Sequence, residues 1–119
     1  MFTAVVGHSE DLDAGAAACD VLAQCRAKLK GVATTAGVLF AAIDFDHQVL
    51  LDEINRQVPG IQLIGCSTDG EISSELGFRE DSVSLILFVS DTVDITAGVG
   101  RGLSTDVAGA CRSAIDAAK

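Results

Sequence analysis

A thiol, two hydroxyls and two carboxylates lie close together in the stretch Gly65-Cys66-Ser67-Thr68-Asp69-Gly70-Glu71. The apolar run before it, residues 61–64, is typical of a buried strand. Ligands of open α/β sheets usually bind beyond the carboxyl ends of strands, and glycines there let a small molecule approach the main chain. We therefore expect a ligand site in this stretch. Its predicted members are Gly65, Cys66, Ser67, Thr68, Gly70 and Glu71.

A second group of polar residues follows the first predicted strand. Gly7, His8 and Ser9 end that apolar run, and we place all three in the same ligand site, formed by the ends of the first and third strands. An unperturbed histidine titrates near pH 6.5, so His8 could respond to pH. A histidine after a strand is more often a structural hydrogen-bonding group, and both roles stay open for His8.

Two other interpretations of the stretch compete with a ligand site. Thr68 and Glu71 fit the S/T-x-x-E capping box, which would make them the start of a short helical turn. Cys66 could be a thiol nucleophile with His8 as its base, and the stretch is similar to the G-x-S-x-G elbow with its second glycine one place late. Because no residue is evident that would orient His8, we predict that the chain is not an enzyme.

The composition limits the kinds of molecule that the protein is expected to bind. The net charge of −9 repels nucleic acid and anionic membranes, and the absence of Trp and Tyr removes the usual base-stacking side chains. No apolar run reaches membrane-spanning length and no signal peptide is evident, which predicts a cytoplasmic protein without membrane insertion. Cysteine and histidine spacings do not match metal or redox motifs, so we expect no metal and no cofactor. Cys19, Cys25 and Cys111 are expected to be reduced and buried.

The elements that position these residues follow from hydrophobic periodicity. Apolar runs predict strands at residues 2–7, 38–43, 61–66, 82–90 and 93–99, the last two joined as a hairpin. Helical spacing is carried by three sets of residues: Ala18, Leu22, Cys25 and Leu29; Leu50, Leu51, Ile54 and Val58; and Val107, Cys111 and Ile115. Asp11 or Asp13, Asp46, and one of Ser104, Thr105 and Asp106 are the expected helix caps. We predict an α/β domain with a mixed sheet of about five strands and three helices in the order βαβαβββα.

The end of the chain partly repeats its beginning. Val6-Gly7 and residues 13–17 are similar to Val99-Gly100 and residues 106–110, at a constant offset of 93 residues. The last helix is followed by no strand, although helical crossovers normally lead to one. We therefore expect residues 1–119 to be a single domain, the N-terminal fragment of a longer one. In the intact protein the last helix is expected to lie across the sheet and lead into a further strand. In the isolated fragment an exposed edge is expected to produce a homodimer.

Four segments together resemble the N-terminal part of the FIST domain: Gly7-His8-Ser9, the block from Ile64 to Ile72, Asp81-Ser82-Val83 and Gly98-Val99-Gly100. FIST domains are known as sensory input domains of intracellular signal transduction proteins. The resemblance implies a non-catalytic domain that binds a small molecule, with amino acids as the proposed ligands. It also implies a signalling output domain in the full-length protein. The alternatives are an interaction or dimerisation module and a thiol-dependent enzyme using Cys66.

Overall fold

The computed structural model describes all 119 residues. In chain order its elements are β1 (Phe2–Ser9), α1 (Ala14–Leu29), β2 (Ala36–Ala42), α2 (His47–Gln57), β3 (Gln62–Thr68), β4 (Glu71–Ser73), β5 (Gly77–Arg79), β6 (Val83–Ser90) and α3 (Val107–Ala117). Four strands form one sheet in the order β1-β6-β2-β3, and β4 pairs with β5 as a separate hairpin. β2 and β3 are parallel, whereas β6 runs antiparallel to both β1 and β2. The predicted α/β class with a mixed sheet and three helices is confirmed.

The hydrophobic core lies between one face of the sheet and the helices α1 and α2. The spacing in the sequence predicted the contacts of α1 correctly, because Ala18, Leu22, Cys25 and Leu29 are all buried. α2 buries Leu50 and Ile54 on the same side of the sheet. The carboxylates of Asp13 and Asp46 accept hydrogen bonds from the first backbone N–H groups of α1 and α2, as expected of N-caps.

The opposite face of the sheet has no helix on it. Side chains alternate between the two faces of a strand, so Phe40 points away from the core that its neighbours Leu39 and Ala41 enter. Phe2 and Phe40 are exposed there, and the ring of Phe2 stacks on Phe88 with 5.8 Å between centroids. We call this the open face of the sheet, formed by Phe2, Val38, Phe40, Ile86 and Phe88.

The two edges of the sheet differ. The outer edge of β1 is blocked by α1: the Gln24 amide donates to the His8 carbonyl and accepts from the His8 N–H at 2.9 Å each, as a neighbouring strand would. Lys28 donates to the Val6 carbonyl farther along the same edge. The outer edge of β3 has no partner strand. An unpaired edge presents free N–H and C=O groups to solvent.

The hairpin predicted near the end of the chain is wrong. Residues 93–99 are not a strand, and β6 pairs with β1 and β2 instead of forming a hairpin with them. α3 does not lie across the sheet: only Ala110 of that helix is buried, whereas Val107 and Ile115 are exposed. The alternating apolar pattern was correct for a strand, but an isolated strand without a hydrogen-bonding partner does not form.

The four cysteines differ in burial. Cys25 is buried in the core, as predicted, but Cys19 and Cys111 are exposed, and all four thiols are free. Cys111 is exposed because α3 packs only against residues 98–100, through the side of the helix that carries Ala110 and Ala114. No helix has the length and apolar content needed to cross a membrane.

Candidate functional site

The predicted site residues lie in two separate places. β1 and β3 are the opposite edges of the sheet, with β6 and β2 between them, so the ends of the first and third strands do not meet directly. His8 and Ser9 are buried at the end of β1, whereas Gly65, Cys66 and Ser67 are exposed on β3. Thr68 and Glu71 join the His8 side, because the chain turns back after β3 into the hairpin β4–β5.

A buried chain of hydrogen bonds connects His8 to Glu71. His8 Nε2 lies 2.9 Å from Ser82 Oγ, and that hydroxyl donates to Glu71 Oε2. The other carboxylate oxygen, Oε1, accepts from the hydroxyl of Thr68. His8, Ser82 and Glu71 are each at most 2% exposed. We call His8, Ser73, Ser82, Glu71 and Thr68 the polar network.

Hydrogen-bond directions assign the state of His8. Ser82 donates its only hydroxyl proton to the carboxylate, so it accepts from Nε2–H of the histidine. Ser73 Oγ accepts from the backbone N–H groups of Glu75 and Leu76 and therefore donates to His8 Nδ1, 2.6 Å away. Both ring nitrogens are satisfied by the neutral imidazole with its proton on Nε2.

The electrostatic surroundings favour the same neutral form. Burial lowers the pKa of His8, because an imidazolium loses hydration there, and this outweighs the opposing attraction of Glu71 and Glu10. A proton on Nδ1 would also face the Ser73 oxygen, which already accepts two N–H groups. The network is therefore built around a histidine without charge.

The polar network offers a ligand no buried side-chain group that lacks a hydrogen-bond partner. No buried side-chain nitrogen or oxygen in the protein lacks a hydrogen-bond partner. Thr68 and Glu71 also do not form a capping box, because a strand and not a helix begins at Glu71. The geometry shows a network that fastens the hairpin β4–β5 to the ends of β1 and β6.

A groove lies apart from the polar network, between α2 and β3. Its volume is about 410 Å³, within the range of about 300–1,000 Å³ typical of small-molecule pockets. Leu51 and Leu63 form its apolar wall, and Val99 reaches it from the segment after β6. Its polar side chains are Ser67 and His47, the second of which has its Nε2 3.0 Å from the Ala42 carbonyl oxygen. Cys66 contributes its backbone, because its side chain lies on the open face beside its register partner Phe40. The groove can hold a small molecule with an apolar part and a few polar groups.

Gly65 lies in the floor of the groove and is required by the packing of β3. A Cβ atom added there would come within 1.8 Å of the Leu39 carbonyl oxygen on β2. The glycine thus allows the backbones of β2 and β3 to approach each other, as well as opening space in the groove.

The Cys66–His8 pair of the alternative thiol-enzyme interpretation is not assembled. Cys66 is on β3 and His8 on β1, with two strands between them. Both ring nitrogens of His8 are bound to serine hydroxyls. Cys66 has no hydrogen-bonded base beside it, which a thiol nucleophile needs.

Several residues of these two places were missed in the sequence. Ser82 was named only as part of the Asp81-Ser82-Val83 segment of the family resemblance, without a role. Ser73 carries no periodic or motif signal, and Gln24 appears only as a polar residue inside an apolar helix. His47 and Leu51 follow from the helical periodicity of α2, but their proximity to Ser67 depends on the packing of α2 against β3. These residues could be found only from the three-dimensional arrangement.

Comparison with known families decides the relationship. The model of the FIST N domain matches residues 35–118, which is most of the chain. The chain belongs to the FIST N domain family. FIST domains are a sensory domain family of signal transduction proteins, so the sensory class expected from the sequence is confirmed at the level of the family. Neither the curated proteins nor the solved structures gave a match.

Proposed function

We propose that this FIST N domain is a non-catalytic input domain that binds a small molecule in the groove between α2 and β3. The observation that carries the proposal is the groove itself, which combines an apolar wall with the exposed Ser67 of β3. Amino acids fit this chemistry, because an apolar side chain would contact Leu51 and Leu63 while the polar end meets Ser67. The net charge of −9 favours a ligand that carries an ammonium group.

The predicted site residues take two roles in this proposal. Gly65, Cys66 and Ser67 contact the ligand. Thr68, Glu71 and His8 hold the end of β3 and the hairpin in position through the polar network. Gly7 and Gly70 allow close packing against Val21 and the Phe78 ring, and Ser9 accepts from the Asp11 N–H. An output domain elsewhere in the full-length protein, in the cytoplasm, would receive the signal. Family membership supports this sensory role.

A thermal-shift screen of single amino acids and small metabolites tests the proposal. A ligand at 100 times its dissociation constant stabilises the folded state by about 2.7 kcal/mol. Ser67→Phe fills the groove and should remove this stabilisation. Ser74→Phe, an equal change at an exposed serine of the hairpin loop, should retain it. A ligand shift that survives Ser67→Phe unchanged, in a folded variant, would place binding outside the groove.

The open face of the sheet favours a second candidate, an interaction module. Phe2 and Phe40 are exposed there beside the partly buried Phe88. Exposed contiguous apolar surface of this kind marks protein–protein contact sites. In this version a second copy covers the open face as a homodimer, and the dimer transmits the signal. Both functions are compatible, because the groove and the open face are on opposite sides of the sheet.

A further inference from the structure

The free outer edge of β3 lies beside a segment with the character of a strand. This segment, residues 95–100, forms no ladder with any strand, and we call it the strap. It contains the β-branched residues Ile95, Thr96 and Val99, which favour strands.

Two contacts define where the strap lies and which way it runs. The N–H of Ala97 donates to Oε1 of Gln62, the first residue of β3, at 3.1 Å. Two residues later, Val99 lines the groove together with Gly65 and Ser67, which lie farther along β3. The strap therefore follows β3 in the parallel direction. The contact at Ala97 uses the Gln62 side chain and leaves the backbone edge of β3 unpaired.

The internal repeat provides an independent observation. Asp13 caps α1 by accepting from Ala16, and Asp106 caps α3 by accepting from Gly109, at the same offset of 93 residues. Gly7 of β1 packs against the backbone of α1, and a Cβ atom at Gly100 would come within 1.8 Å of the backbone of α3. The strap and α3 thus repeat the strand–helix contact of β1 and α1. Only β1 is paired in the sheet.

We propose that the strap closes onto the free edge of β3 as a fifth, parallel strand, in exchange with the open arrangement. Closing provides hydrogen-bond partners for the N–H and C=O groups of the β3 edge. On the edge of β1, the Gln24 and Lys28 side chains already provide such partners. It also draws α3 towards the sheet and Val99 across the groove. A ligand bound in the groove would hold the strap open. This consequence rests on the proposed function, whereas the closing motion does not depend on it.

Relaxation-dispersion NMR on the ligand-free protein tests the closing motion. Minor conformations at about 0.1–10% population are typical of such exchange. We expect amides of the strap and of the β3 edge to show microsecond–millisecond exchange with one common rate. The minor-state chemical shifts of the strap should be those of a β-strand. Flat profiles in β3, or exchange confined to the strap, would overturn the proposal.

Matched variants separate closing from general mobility. Val99→Asp places a charge against the apolar groove and should reduce the exchange contribution in both segments. Val107→Asp makes the same change at an exposed valine of α3 and should leave the exchange unchanged. Equal effects of the two variants would count against closing. In samples that mix labelled and unlabelled chains, strap–β3 contacts between chains would show that a second copy supplies the strap and would overturn the intramolecular proposal.

Discussion

At the scale of single residues, the main finding is that His8 is a structural group. The sequence left open whether it responds to pH or holds the loop, and the hydrogen bonds to Ser73 and Ser82 support the second role. The same arrangement gives the fold a defined pH dependence. It comes from the neutral state of His8, and not from a ligand.

We predict that lowering the pH below about 6.5 destabilises the protein through His8. The folded state keeps His8 neutral to lower pH than the unfolded chain does, so the unfolded chain binds the proton first. The free energy of unfolding therefore falls as the pH decreases from about 6.5 towards the lowered pKa of the folded state. Urea denaturation between pH 7 and pH 5 measures this slope.

Two histidine variants provide the control. His8→Gln should flatten the slope because it cannot bind the proton. His47→Gln, at the chain's other histidine, should preserve it. If His8→Gln and the wild type have the same slope, the destabilisation arises from other groups.

The thiols should fall into two classes of reactivity. Burial raises the pKa of Cys25 to about 11, which suppresses its reactive thiolate. Cys19, Cys66 and Cys111 are exposed, although a hydrogen bond to Glu53 raises the pKa of Cys19 and should make it the slowest of the three. Under native conditions a thiol reagent should label three cysteines, and the fourth only after unfolding. Labelling of Cys25 in the folded protein, followed by peptide mass spectrometry, would contradict its burial.

At the scale of elements, periodicity identified the three helices and the four strands of the larger sheet. α1, α2 and the four strands of the sheet have clear apolar spacing and were located to within a few residues. β4 and β5 were missed because each has only three residues. The strand predicted at residues 93–99 was wrong because a sequence pattern reports the preference of a segment and cannot show whether a partner is present.

The arrangement of the candidate site could likewise be predicted only in part from the sequence. The stretch from Gly65 to Glu71 was predicted to form one ligand site, but its residues separate at Thr68, where β3 ends and the chain turns towards the hairpin. Strand order decides which residues meet, and βαβ connections of similar length allow several orders. His8 and Glu71 come together through Ser82, which follows β5 and was noticed only as part of a segment of the family resemblance, with no role assigned.

The close approach of β2 and β3 gives a prediction at this scale. Gly65→Ala should lower the free energy of unfolding by about 1–3 kcal/mol, because the added methyl group would overlap the Leu39 carbonyl oxygen and force the strands apart. Ser67→Ala, on the same strand, removes an exposed hydroxyl and should change stability by less than about 0.5 kcal/mol. Chemical denaturation compares them. Equal stability of the two variants would mean that the strands can separate at little cost.

At the scale of the whole molecule, the two faces of the sheet are unequal. α1 and α2 cover one face, while the open face carries Phe2, Phe40 and Phe88. The net charge of −9 opposes contact between two copies, so apolar contact and electrostatic repulsion act against each other. Salt screens the repulsion and leaves the apolar contact in place.

We predict that the 119-residue chain forms a two-fold dimer through the open face, more strongly at high salt. Phe40 lies on β2, inside the sheet, so Phe40→Asp places a charge within the buried contact and should give a monomer at micromolar concentration. Leu12→Asp, at a residue that is 77% exposed ahead of α1, should leave the dimer intact. Sedimentation velocity at low and high salt measures both. A wild-type protein that stays monomeric at high salt would show that the open face is tolerated without a partner. A dimer that survives Phe40→Asp would instead point to the free edge of β3, where pairing with another chain needs no apolar face.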